Sequence, residues 1–427
     1  MTALDVLRNL NFRKYIFARI FMVFTVNMLG TIVAWQVYQI TKDKLLSEGI
    51  LEELATKKAS FALGLIGLSE IIPFVAVTLF AGYFADIYSR KKIVLGCLAF
   101  YTLVIGYLLV TTSYFPQTFK EYGAMPIYVA TSIIGIIRGF LGPAQNAMSA
   151  QLVQKEEYAQ AANWTTMVWH LGSIGGPAIA GLLYAYTNIS TVYTVIITLN
   201  ILGFFFFSLI TAPPLPKFKQ KDSIFKSLKE GLDFVFNHQI ILGALSLDMF
   251  AVLFGGAVAM LPVFADTILH QGAVGLGWLR AAPAMGALLM GMVLAFYPPT
   301  KKAGRNLLVC VAGFGVATIL FALSTSFWWS MLALALTGAF DNVSMVIRGT
   351  ISQLYTPDEM RGRVSAVNGV FIGSSNEFGA FESGVAARVL GLVPSVVFGG
   401  VMTLVTVGLT GRFAPKLSKL EISSNDE

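Results

Sequence analysis

The chain has 427 residues, 56% of them hydrophobic and only 12% charged, with a mean hydropathy of +0.71. A soluble domain carries about 25% charged residues, so a soluble globular protein is excluded and long apolar runs must face lipid. The formal net charge of +7 implies no nucleic-acid partner, because Lys and Arg collect in short connections between those runs, where they orient membrane spans.

Arg8, Arg13 and Lys14 precede a first apolar run from about Tyr15 to Ile40, which predicts a cytoplasmic N-terminus and no cleavable signal peptide. Residues 41–60 balance Lys42, Lys44, Lys57 and Lys58 against Asp43, Glu48, Glu52 and Glu53. That balance reads as an outside loop, with a short interfacial helix expected within Leu45–Leu54. A second run from about Phe61 to Ala85 stops at Asp86, and Arg90, Lys91 and Lys92 precede a third run that begins at Ile93. Pro116–Gly123 then reads as an outside turn. Spans four to six are expected near Met125–Met148, Ala161–Tyr186 and Thr191–Thr211.

Pro213, Pro214 and Pro216 break the chain, and Lys217, Lys219, Lys221, Lys226 and Lys229 follow. This is read as a cytoplasmic linker, with Phe225–Phe236 an amphipathic surface helix. Six further spans are expected near Ile240–Thr267, Val274–Tyr297, Asn306–Leu323, Phe327–Ile347, Val364–Val389 and Pro394–Arg412. Lys301, Lys302 and Arg305 mark one inside loop, and Arg348, Arg361 and Arg363 another. Arg412, Lys416 and Lys419 place the C-terminus inside too. Cys97 and Cys310 lie inside apolar runs, which supports no disulfide.

The expected fold is thus an all-α polytopic membrane protein. It has twelve transmembrane helices in two pseudo-symmetric six-helix halves, residues 1–211 and 240–427, joined by a linker at 212–239. Short internal matches agree: residues 92–97 (KIVLGC) resemble 305–310 (RNLLVC), and Gln151-Leu152 resembles Gln353-Leu354.

Gly82, Asp86, Arg90 and Lys91 form the pattern G-x-x-x-D-x-x-x-R-K in the connection after the second span. It resembles the loop signature of the major facilitator superfamily of transporters. In span five, Gly172, Gly176, Pro177 and Gly181 combine a small-residue packing face with a proline kink. They resemble the superfamily's antiporter signature, with Ala180 departing from it. Arg138 and Gly142 resemble its span-four motif, whose arginine is linked to proton transfer; Leu141 stands where that motif has glutamine. Residues 11–19 (NFRKYIFAR) and 356–366 (TPDEMRGRVSA) look like the branch of enterobactin exporters and macrolide-efflux proteins.

The resemblance implies a proton-coupled exporter of a siderophore or lipophilic drug-like solute across the bacterial inner membrane. It would work by alternating access, as a monomer, with a proton gradient and no cofactor. A carrier of this kind needs a carboxylate or histidine whose charge changes with its surroundings. Asp248, Glu377 and Glu382 are the first candidates, with Glu70 and Asp341 next and Arg138 by its motif. Arg19, His170 and Arg280 also lie in apolar runs. His170 reads as a packed neutral histidine.

Asn27, Trp35, Gln36, Gln145, Asn146, Asn163, Trp164, Trp169, Phe254 and Asn376 are the polar and aromatic residues that could line a cavity for a small-molecule substrate. No His/Cys cluster suited to a metal is present, and no H-E-x-x-H, G-x-S-x-G or P-loop pattern points to an enzyme. The alternatives are an exporter or flippase of another ligand class, such as a lipid or a metal, and a non-transporting membrane receptor.

Overall fold

The structure is a computed structural model that describes residues 5–211, 224–297, 299, 302–357 and 360–421. Every regular element among them is helical. In hydrocarbon this is the expected outcome, since a helix satisfies its own backbone donors and acceptors where no water can.

Thirteen helices run to fourteen residues or more. Six come before the linker: α1 (Leu10–Ser47), α2 (Glu52–Ile87), α3 (Arg90–Tyr114), α4 (Met125–Gln151), α5 (Tyr158–Tyr186) and α6 (Ile189–Ser208). The expected surface helix is α7 (Ile224–Asn237). Six more follow: α8 (Gln239–Phe254), α9 (Gly272–Phe296), α10 (Ala303–Leu323), α11 (Phe327–Tyr355), α12 (Arg361–Leu390) and α13 (Leu392–Phe413). Among the described residues, ten stretches are long and apolar enough to cross a membrane. Of the three remaining, α7 is the 14-residue surface helix, and α5 and α12 have 29 and 30 residues. Their polar and small residues dilute the apolar signal.

The connections differ from expectation in places. No separate interfacial helix forms within Leu45–Leu54. Instead α1 continues to Ser47 and α2 starts at Glu52. Gly49, at φ +78°, turns the chain between them. An i,i+4 pair between Lys57 and Glu53 at 2.7 Å supports the start of α2. The expected turn at Pro116–Gly123 contains a short helix, Gln117–Tyr122. Span seven is not one regular helix. After Phe254 it passes through a 3₁₀ turn at Gly256–Met260 and a π turn at Phe264–Ile268. The basic, proline-rich stretch Pro213–Lys221 lies outside the described residues, as do Lys301, Asp358 and Glu359.

By internal contacts the chain divides into two compact units. The first comprises Met1–Leu51, Ser69–Lys221 and Leu276–Ala281, and the second Glu52–Leu68, Asp222–Gly275 and Ala282–Glu427. In the first, α1 packs on α5 and α6, while α3 packs on α4 and α6. In the second, α8 packs on α12 and α13, while α10 packs on α11 and α13. Counted from the start of each six-helix set, these are the same pairings, as an internal repeat produces. Polar ties fix the first set. Asn200 on α6 donates through Nδ2 to the Leu98 carbonyl and the Thr102 hydroxyl of α3, both at 2.8 Å. Buried Gln36 donates to Thr112 at 3.0 Å and accepts from the Tyr193 hydroxyl at 2.5 Å, joining α1, α3 and α6.

In the second unit two glycines let backbones touch. A Cβ on Gly338 of α11 would overlap the backbone of Pro283 in α9, and one on Gly286 would overlap the backbone of Ala335. Because backbone cannot yield as a flexible side chain does, Gly338→Ala and Gly286→Ala are expected to cost about 1–3 kcal/mol each. Gly96→Ala and Gly106→Ala on α3, where a Cβ meets nothing within 4 Å, are the matched controls. Thermal unfolding in detergent should show the first pair melting several degrees lower and the controls unchanged or slightly higher.

Candidate functional site

Three polar constellations sit inside the helical units. The first is in the second unit. Asp248 on α8 and Arg348 on α11 form an ion pair, with side chains 9% and 11% exposed. The same guanidinium reaches Asp341 at 3.5 Å, and that carboxylate is 51% exposed. Asp341 and Arg348 share one face of α11 because seven residues is two helical turns. Arg348 Nε also donates to the Ser344 carbonyl at 3.2 Å. Asp248 and Asp341 line one small cavity with Ser344, Phe314 and Phe340. Arg348 therefore does not mark a loop, as its place near a span end implied. It lies within α11 and is nearly buried. Two carboxylates against one guanidinium leave the cluster one negative charge in excess when all are ionised.

The second constellation is an ion pair in the first unit. Arg138 on α4 binds Glu70 on α2, with the carboxylate 12% exposed and the guanidinium 36% exposed. The guanidinium also stands over the Phe74 ring at 5.7 Å to the centroid. The helices come this close because Gly135, one turn before Arg138, has no side chain. A Cβ there would overlap the Glu70 carbonyl.

The third is a cavity of about 240 Å³ among α1, α4 and α5, lined by Tyr15, Arg19, Asn146, Ser149, Tyr158 and Thr165 among others. Arg19 donates from Nη1 to the Tyr15 hydroxyl at 3.3 Å and to Gln145 Oε1 at 3.5 Å. Its Nε is buried with no acceptor.

The other expected residues take varied places. Lys91 donates to the Ser208 carbonyl at 2.7 Å, closing the last turn of α6. Arg90 opens α3, and the side chains of Gly82 and Asp86 lie outside the described residues. Gly172 and Gly176 face α1, where added Cβ atoms would meet Val23 and Asn27. The Pro177 carbonyl lies against Gly277 within the first unit. Gly181 is buried. Glu377 and Glu382 lie on α12, half-buried.

Of the cavity candidates, Asn146 lines the α1–α4–α5 cavity and Gln145 holds its arginine. Asn27 bonds to its own helix at Val23, and Gln36 is the structural tie described above. Trp35 is buried against Tyr38 and Tyr184. Asn163 and Trp169 are exposed and Trp164 is half-buried. Phe254 packs on Phe250 and Phe398. Asn376 bonds back to Ile372 at 3.1 Å. Sequence reading picked out Arg19 as ionisable without assigning it a role. Tyr15, Ser149, Tyr158 and Thr165 gave no signal separable from ordinary helix residues.

Residues 15–380 match the family model of the Major Facilitator Superfamily. The chain belongs to the major facilitator superfamily. Among curated relatives it is 26% identical over 417 residues to the enterobactin exporter EntS of Shigella dysenteriae serotype 1, covering 93% of this chain and 92% of the relative. The same identity and coverage hold for the enterobactin exporter EntS of Escherichia coli O1:K1.

Solved transporters share the fold at low identity. The POT family transporter PepTSo aligns with a TM-score of 0.72 at 13% identity, covering 96% of this chain and 98% of that one. A D-xylose-proton symporter aligns at 0.70 and 14%, covering 95% and 100%. A bacterial homologue of the human lysosomal transporter Spinster aligns at 0.68 and 14%, covering 96% and 99%.

As a superfamily member the chain is a multi-pass membrane transporter, and its buried ion pairs are features of a transport fold. Removing one partner of such a pair strands a charge, at a cost of about 3–5 kcal/mol, whereas neutralising both partners costs less. Arg348→Leu is therefore expected to lower the thermal midpoint sharply, and Asp248→Asn in the same chain to restore most of it. Glu70→Gln with Arg138→Gln should behave the same way. A double-mutant cycle on thermal unfolding reads both couplings.

Proposed function

We propose that this superfamily member is a proton-coupled exporter of a siderophore or lipophilic drug-like solute in the bacterial inner membrane, with both termini cytoplasmic. In this reading residues 1–211 and 240–427 are the two moving halves and 212–239 the cytoplasmic linker. The named activity of the EntS relatives supports export, and the glycine and proline pattern of α5 supports a pliable helix between states.

The observation that carries the coupling is the composition of the Asp248–Arg348–Asp341 cluster. Fully ionised, it holds one uncompensated negative charge in a site of low dielectric. A proton on one carboxylate cancels that charge without breaking the Asp248–Arg348 pair. In this reading Asp341, the more exposed of the two carboxylates, takes up the proton and gives it back. The neutral form belongs to the step that returns the proton inward, and the charged form to the step that carries solute outward. The charges of Glu70 and Arg138 offset each other, and this reading gives the pair a structural role.

The test is efflux from proteoliposomes loaded with a panel of siderophores and lipophilic dyes, with and without an imposed pH gradient. The native chain is expected to speed efflux severalfold under the gradient. Asp341→Asn should lose most of that stimulation while downhill movement persists, and Glu70→Gln with Arg138→Gln should keep it. Efflux indifferent to the gradient would refute coupling. Stimulation intact in Asp341→Asn would move the proton elsewhere, with Glu377 and Glu382 next to be changed.

A further inference from the structure

The cavity among α1, α4 and α5 holds an arginine unlike the other paired arginines of the spans. Arg138 is matched by Glu70, and Arg348 by Asp248 and Asp341. Arg19 meets no carboxylate among the described residues. Its two hydrogen bonds go to neutral oxygens at 3.3 and 3.5 Å, and its Nε is buried without an acceptor. A guanidinium within a membrane span is costly unless its charge is answered, and a charge left unanswered inside a cavity is a ready site for an anion.

We infer that Arg19 receives the acidic group, a carboxylate or deprotonated phenol, of an aromatic solute in this cavity. The surroundings fit that chemistry. Asn146, Ser149 and Thr165 offer neutral hydrogen-bonding groups, while Tyr158, which is exposed, offers ring surface. Among the described residues, no acidic side chain lines the cavity to repel an anion. At about 240 Å³ the space is smaller than the roughly 300–1,000 Å³ of a drug-sized site. It suits one aromatic ring with its acid, and so a small aromatic acid or one acidic arm of a larger solute. Tyr15 and Gln145 hold the guanidinium from one side, which orients it before the ligand arrives.

This assignment rests on the exporter reading for its biological direction, because the cavity borders the α4–α5 turn at the same end as the N-terminus. Asn9 reaches Leu152 there, donating from Nδ2 to its carbonyl at 2.7 Å.

The experiment compares acids with their uncharged isosteres. Binding of benzoate and naphthoate, and of benzamide and naphthamide, is measured by equilibrium dialysis on the full chain in phosphatidylcholine nanodiscs. Arg19→Gln and Arg19→Lys are run beside the native protein, with thermal unfolding to confirm that each folds. The native chain is expected to prefer each acid over its amide by about tenfold or more. Arg19→Gln should abolish the preference by weakening the acids alone, and Arg19→Lys should keep part of it.

Equal affinity for acid and amide, no binding of either, or a preference that survives Arg19→Gln would each overturn the assignment. Loss of acid binding on adding phosphatidylglycerol would overturn it in favour of a lipid headgroup. Proton-stimulated efflux of an uncharged dye by the native chain separates the two readings. If that efflux persists while acids show no preference, the anion site fails and the exporter stands. If the native chain prefers acids but shows no gradient-dependent efflux, the coupling fails and the anion site stands.

Discussion

A charge inside a hydrocarbon layer must be answered by another group of the same protein or by a water-filled cavity. That constraint organises this chain more than any single apolar contact. Lipid is as apolar as the side chains that face it, so packing of apolar surface alone gives helices little reason to choose partners. The polar residues make the choice. Glu70 and Arg138 tie α2 to α4, Asp248 and Arg348 tie α8 to α11, and Asn200 ties α6 to α3.

Close backbone approach does the rest. Val23 and Asn27 of α1 fill the space that Gly172 and Gly176 leave on α5, so the glycines act as a fitted surface on a helix that also carries Pro177. Gly135 does the same service for the Glu70–Arg138 pair. Packing and electrostatics are therefore one arrangement here: small residues set the helix separation that lets the long ionic side chains meet. The same pairings recur in the second six helices, yet the ionic groups do not repeat. The first unit carries a balanced pair and an unmatched arginine, and the second carries an arginine with two carboxylates. An internal repeat with divided chemistry suits a carrier, where solute and driving ion need separate places.

Much of this was legible from the residues. Apolar runs and the placement of Lys and Arg set the succession of helices. Asp248 stood out because an aspartate in an apolar run is rare. Its partner did not. Arg348 follows a span by the hydropathy pattern and looks like an ordinary basic anchor, until α11 is seen to continue to Tyr355. Gln36 and Asn27 looked like cavity groups because polarity alone does not say which way a side chain points, and both bond within the packed helices. Arg19 was visible as a charge, but that it meets no carboxylate among the described residues is a statement about every neighbour at once.

The sequence by itself determined the membrane setting, the succession of long helices and the family. These depend on local composition, on spacing along the chain and on short motifs such as Gly82–Lys91. Tertiary structure alone decided which charges are paired, which are in excess and which stand beside a cavity. Those properties depend on distances between residues far apart in sequence, such as 70 and 138, 248 and 348, or 19 and 145. Hydrophobic periodicity along one helix carries no record of the register it takes against another.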